Sequence, residues 1–170
     1  DNMSRLKLTA IDEGYSVVVS TKLSGADDPE IVLEAILKLF PDFTCGLPAK
    51  PSFPTEQDDV LAAEEVSLKT FLEAINNQSI LDTSLDFMSA NLDKSGTIFH
   101  ISRQAAMVGK VAFPLQDDKP LGGVITVEIG GENLADWLEA ATWHSGRENI
   151  PRRIGDEFTM DEKGDAVIWH

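Results

Sequence analysis

Long apolar runs are missing from this chain. No uninterrupted hydrophobic stretch approaches the ~18–20 residues that a bilayer-spanning helix needs. Cysteine is nearly absent as well. Cys45 stands alone, so no intramolecular disulfide forms and the fold needs no oxidising compartment. It lies in Asp42-Phe-Thr-Cys-Gly-Leu-Pro, far in sequence from His100, His144 and His170, which favours a structural thiol over a nucleophile. Basic residues are scarce: 14 Lys and Arg stand against 29 Asp and Glu, for a formal net charge of -15. The acid excess runs along the chain rather than collecting in a tail. This argues against DNA wrapping, because holding phosphates depends on neutralisation by Lys and Arg, and it is read first as a solubilising surface. No signal-type apolar run follows the opening Asp-Asn-Met-Ser-Arg, so the expected compartment is the cytoplasm, with no membrane partner.

Chemical signatures are missing too. Asp161-Glu-Lys-Gly-Asp lacks the twelve-residue calcium-loop pattern with its closing Glu. Gly130-Gly131-Glu-Asn lacks both Gly-x-Gly-x-x-Gly spacing and a following Lys-Ser or Lys-Thr. The histidines have no ligand-spaced neighbours, and no pair among the many carboxylates is singled out for hydrolase chemistry. The expectation is a protein without catalysis, cofactor or metal.

What is present supports one core. A length of 170 residues with 42% hydrophobic content suits one domain plus an extension. The division expected is a main domain over 1–129 and an extension over 130–170, a helix plus a short strand packed on the same domain. Tyr15–Leu23 is rich in β-branched residues between Gly14 and Gly25 and reads as a strand, with Leu6–Ile11 as its lead-in or partner. Asp28-Pro29-Glu30 opens a helix whose apolar face ends at Pro41. Prolines 41, 48, 51 and 54 mark an irregular connection, and Val60–Val66 reads as a short strand. Ser67 is the expected cap of a helix that bends at Asn76-Asn77-Gln78-Ser79 and continues as a second helix to Leu92.

Lys94–Gln116 is the longest stretch without an Asp or Glu, and it carries Lys94, Arg103 and Lys110. In so acidic a chain, an anionic partner is least repelled there. Thr97–Ser102 alternates as a strand, with Ile98 and His100 facing opposite to Phe99 and Ile101. A short helix from Arg103 stops at Gly109, and Lys110–Phe113 reads as a further short strand. Val124–Ile129 is the clearest strand of all. Asn133 is the expected cap of a helix bearing Leu134, Trp137, Leu138, Ala141 and Trp143, and Ala166–Trp169 a last strand. The fold class expected is α+β, a single antiparallel or mixed sheet with helices packed on one face.

Several of these blocks carry a family resemblance: Gln78-Ser-Ile-Leu-Asp-Thr, Thr97-Ile-Phe-His-Ile-Ser-Arg-Gln-Ala-Ala, Gly109, Lys110-Val-Ala-Phe and Pro120-Leu-Gly-Gly-Val-Ile-Thr-Val. The chain resembles the archaeal uncharacterised protein family numbered 0201, over Tyr15 to Ile129 and most strongly over Phe71 to Ile129. The resemblance implies an α+β fold similar to the ribosomal large-subunit protein that binds the smallest ribosomal RNA. It also implies RNA binding and a link to the exosome. Arg103 stands where such relatives usually have Lys, and both the acidity and the extension past Ile129 depart from the pattern.

Two functional expectations follow. In the first, the chain is an RNA-binding module. Lys94, Arg103 and Lys110 position phosphates, while Gln104, Asn76 and Gln78, with Asn77 beside them, offer amides to bases or 2′-hydroxyls. Its partners are RNA and a protein complex of RNA processing, not DNA. Phe99 and Phe113 lack the motif of the sheet-borne aromatic RNA module. In the second, the chain is a protein-interaction or assembly subunit. It uses its acidic surface and the Trp-bearing extension, with Trp137, Trp143 and Trp169 as anchors.

Overall fold

A computed structural model describes residues 8–44, 59–115 and 122–148. Among the described residues, four strands form one antiparallel sheet: β1 (Ser16–Leu23), β2 (Asp59–Glu64), β3 (Gly96–Ser102) and β4 (Val124–Gly130), in the order β2-β1-β4-β3. The N-terminal strand thus pairs with the last one, and β3 and β2 form the two edges.

Period-two alternation decides which face is covered. Val17, Val19, Thr21 and Leu23 of β1, Leu61 and Ala63 of β2, Thr97, Phe99 and Ile101 of β3, and Ile125, Val127 and Ile129 of β4 are all buried. Their neighbours form the opposite face, in rows across the sheet: Glu64, Val18, Glu128 and Ile98, then Ala62, Ser20, Thr126 and His100. That face is partly or fully exposed and, among the described residues, its strands carry no aromatic ring other than the His100 imidazole.

The helices lie over the buried face: α1 (Pro29–Leu39), α2 (Lys69–Asn77), α3 (Leu81–Ser89), α4 (Arg103–Met107) and α5 (Leu134–Ala141). The architecture is therefore α+β, with helices packed on one face of the sheet. α1 begins as its sequence dictates, with the Asp28 carboxylate accepting from the Glu30 N–H at 3.0 Å and Pro29 in the first turn. Phe40 and Phe71 stack with centroids 5.8 Å apart, and Phe99 leans on Phe71 at the same distance, so α1, α2 and β3 share one aromatic seam.

Three local expectations are corrected. Residues 8–14 are a loop rather than a strand: Ala10 has φ 71°, and the Glu13 carboxylate accepts from the Thr9 and Ala10 amides. Lys110–Phe113 forms no strand either. Ala112 accepts one bond from the Ser102 N–H, and Phe113 turns away to stack on Phe87 at 4.9 Å. Asn133 precedes α5 but caps nothing with its side chain, because it adopts a left-handed conformation at φ 58°. The proline-rich connection from Cys45 onward, Trp169 and the last expected strand lie outside the described residues.

α5 is tied to the rest of the domain through Trp137. Its ring is buried, its Nε1 donates to the Glu13 carboxylate at 2.8 Å, and Tyr15 packs against it at 5.8 Å. Beyond α5, a single 3-10 turn (Ser145–Glu148) returns to α3. Asp82 Oδ1 there accepts from Arg147 Nη2 at 2.6 Å and faces His144 Nε2 at 2.9 Å. Arg147 is buried, and its remaining donors reach the Glu139 carbonyl and the Thr142 carbonyl and hydroxyl. Among the described residues, no helix is long and apolar enough to cross a membrane.

Candidate nucleic-acid interface

The acid-free stretch does not form one patch. β3 runs through its middle, and seven residues at ~3.3 Å each place Lys94 roughly 20 Å from Arg103 along the strand. Lys94 is exposed in the turn before β3. That turn is fixed by Asp93, whose Oδ1 accepts from the Ser95 N–H, the Ser95 hydroxyl and the Gly96 N–H. These bonds, led by the Ser95 amide, hold the Asp93 carboxyl below its ordinary value. Gly96 is required here by close approach, since a Cβ on it would lie 2.3 Å from the Ile129 carbonyl oxygen.

Arg103 is not a surface cation. Its side chain is 7% exposed and ion-paired to Asp27 at 2.9 Å. Nη1 donates to the Thr21 hydroxyl at 2.8 Å and to the Lys22 carbonyl at 2.9 Å. The Thr21 hydroxyl in turn donates to the Val124 carbonyl at 2.7 Å. The guanidinium thus joins β1, β4 and the loop before α1, with three of its five donors engaged and the side chain turned away from solvent. Partial burial raises the Asp27 carboxyl, but the Ser24 amide and the Arg103 guanidinium outweigh it and hold the group below its ordinary value. Gln104 is exposed beside Gly122.

Lys110 reaches a different neighbourhood. After α4 the chain closes in a Schellman turn, Gly109 N–H to the Ala106 carbonyl and Lys110 N–H to the Ala105 carbonyl, with Gly109 at φ 74°. Gln78 then grips the next residue with both ends of its amide: Nε2 donates to the Val111 carbonyl at 2.9 Å, and Oε1 accepts from the Val111 N–H at 2.7 Å. Both groups are therefore engaged, and Gln78 positions backbone rather than facing a ligand.

This clamp sets one wall of a groove of about 250 Å³, lined by Lys38, Leu39, Thr70, Glu73, Ala74, Asn77, Gln78, Gly109 and Lys110. The second wall is α2, where Thr70, Glu73, Ala74 and Asn77 follow the i, i+3, i+4, i+7 spacing of one helix face. The third is the last turn of α1, which places Lys38 favourably at the negative end of the helix dipole. Thr70, Glu73, Asn77, Lys38 and Lys110 have no side-chain partner among the described residues.

Of the residues expected from the sequence, the groove brings together Lys110, Gln78 and Asn77. Lys94, Arg103 and Gln104 lie elsewhere, and Asn77 rather than Asn76 lines the groove. Lys38, Thr70 and Glu73 were not expected. The polar spacing along Lys69–Asn77 was available to find the last two, while Lys38 could be placed only by the packing of α1.

Other candidates resolve as structure. Phe99 is buried beneath the sheet and Phe113 stacks on Phe87, so neither lies on the open face as a base-stacking platform. His100 is exposed on that face with Nδ1 2.9 Å from the Thr126 hydroxyl. Among the described residues, no three His, Cys, Asp or Glu side chains converge as a metal site.

No family model matches the chain. It is 32% identical over 133 residues to a UPF0201 protein of Sulfurisphaera tokodaii, covering 74% of this chain and 88% of the relative. To a UPF0201 protein of Methanothermobacter thermautotrophicus it is 29% identical over 142 residues, covering 82% and 98%. The crystal structure of a UPF0201 protein from Methanococcus jannaschii aligns with a TM-score of 0.64 at 24% identity, over 75% of this chain and 99% of that one. A second UPF0201 crystal structure aligns at 0.59 and 23% identity, over 73% and 90%. The two structures share the fold, and the sequence relatives fix the membership: this chain belongs to the archaeal UPF0201 family.

Proposed function

We propose that the chain is a non-catalytic, cytoplasmic RNA-binding protein whose contact surface is the groove between α1, α2 and the Gly109-Lys110 turn. The observation that carries this reading is the meeting of Lys38 and Lys110. Two cations from distant parts of an acidic chain, neither with an ion-pair partner among the described residues, flank one groove that also offers a hydroxyl and an amide. Convergent polar groups in a concavity are the usual form of a ligand site. Cations beside amides suit RNA, whose phosphates are neutralised while base edges and 2′-hydroxyls are hydrogen-bonded. With few cations, the affinity is modest and salt-sensitive, which fits a subunit that acts within an RNA-processing complex such as the exosome. The test is RNA binding across a salt titration, with Lys38→Glu/Lys110→Glu beside the wild type. Loss of two phosphate contacts on a single strand lowers the slope of log K against log salt by about 1.4. Equal affinity and slope in both proteins would contradict the assignment.

A second reading, an assembly subunit with an acidic surface, draws on the open sheet face. There Glu64 and Glu128 are both cross-strand neighbours of Val18 and have no ion-pair partner among the described residues. Trp137 does not serve this reading as an anchor, because it is buried against Tyr15 and Glu13. Binding of a basic protein that is abolished by Glu64→Lys/Glu128→Lys and indifferent to Lys38→Glu would favour it.

A further inference from the structure

We infer that the groove takes a single unpaired nucleotide and that Glu73 accepts hydrogen bonds from its base, with guanine the best match; this rests on the RNA reading above. The carboxylate is the group that phosphate binding alone leaves unexplained. Glu73 stands on the groove-lining face of α2, between Thr70 and Asn77, with Lys38 and Lys110 among the lining residues. It is exposed and has no hydrogen-bond or ion-pair partner among the described residues.

Facing a phosphate, an ionised carboxylate only repels. Facing a base, it accepts from N–H groups and from nothing else. A ring N–H lies on the Watson–Crick edge, which a duplex consumes in its own pairing and an unpaired nucleotide leaves open. Guanine presents two adjacent donors there, N1–H and the N2 amino group, which match the two carboxylate oxygens as a guanidinium does. Adenine and cytosine present one amino group beside a ring acceptor. Uracil presents one N–H between two carbonyls, which face the carboxylate unfavourably. Asn77, a turn further along α2, adds an amide that serves as donor or acceptor, and the two lysines hold the flanking phosphates.

The experiment uses the full chain and three probes: a short oligouridine carrying one central guanine, the same strand with inosine there, and the guanine strand annealed to its complement. Inosine keeps N1–H and lacks the N2 amino group. The proposal expects the guanine strand to bind at least about tenfold tighter than the duplex, on the scale of a charge-assisted hydrogen bond. Inosine falls in between, and Glu73→Gln removes the guanine preference while leaving thermal stability unchanged. Binding that ignores the base and the duplex, and that tightens in Glu73→Gln, would overturn the inference. If that binding were still lost in Lys38→Glu/Lys110→Glu, the RNA reading would stand without it. No binding by any probe would overturn both.

Discussion

Gln78 and Val111 exchange two hydrogen bonds, the Gln78 amide acting as both donor and acceptor to one backbone unit at 2.9 and 2.7 Å. The pair replaces the strand ladder that Lys110–Phe113 lacks, and it fixes the distance between α2 and the Lys110 turn. Gln78→Ala leaves a buried N–H and carbonyl without partners. It is expected to cost about 1–3 kcal/mol in urea unfolding and to weaken RNA binding by loosening the groove. Gln78→Glu keeps the acceptor and loses the donor, so it should fall between wild type and alanine in stability.

Arg103 is expected to separate stability from binding. Arg103→Ala takes the cation from Asp27 and one donor each from the Thr21 hydroxyl and the Lys22 carbonyl, at a cost of about 3–5 kcal/mol for breaking a largely buried pair. Arg103→Lys keeps the charge but cannot serve Thr21, Lys22 and Asp27 together, so its loss is smaller. In the folded Arg103→Lys protein the salt dependence of RNA binding should match the wild type, because Arg103 is buried and lies outside the proposed groove. A reduced slope would place it in the interface after all.

The pH dependence follows from Asp82. Partial burial pushes its carboxyl up, but hydrogen bonds from Arg147 and His144 prevail, so its folded value lies below the ordinary carboxylate range. A carboxylate with a lowered folded value contributes stability above its unfolded value, and that contribution is lost as pH falls through the folded value. Asp27 acts in the same direction. Protonating the other acids relieves self-repulsion in a chain of net charge -15 and opposes this loss, so the difference between proteins is the readout. The urea midpoint of wild type minus that of Asp82→Asn should be positive at pH 7 and shrink below about pH 4. A difference that is flat with pH would contradict the role of the carboxylate charge.

Trp137→Phe retains the ring packing on Tyr15 and removes the bond to Glu13. A loss of about 1–2 kcal/mol is expected, together with weaker protection from hydrogen exchange of the Thr9 and Ala10 amides that share the same carboxylate. Unchanged stability would mean that α5 is held by packing alone.

The strands and main helices were legible because alternation and helical spacing survive in the sequence: β1, β4 and α1 lie within a residue or so of where Val17-Val18-Val19, Val124–Ile129 and Asp28-Pro29 placed them. The facing of Ile98 and His100 opposite to Phe99 and Ile101 was legible for the same reason. The stop of α4 at Gly109 was legible too, but the segment after it was not. Val111-Ala-Phe has the composition of a strand, yet its backbone partner is a side chain over thirty residues earlier, which no local pattern records. Charge was the most misleading signal. Arg103 and Lys110 look alike in an acid-free stretch, and only the tertiary pairing of Arg103 with Asp27 and Thr21 separates a core cation from a surface one.

The central claim is the place of RNA contact, and amide chemical shifts of the isotope-labelled protein titrated with the guanine-bearing oligouridine test it most directly. The account predicts that the amides of Lys38, Thr70, Glu73, Asn77, Gly109 and Lys110 shift, while Val18, Ser20, Thr126 and Glu128 on the open sheet face stay in place. Shifts confined to the sheet face would contradict it.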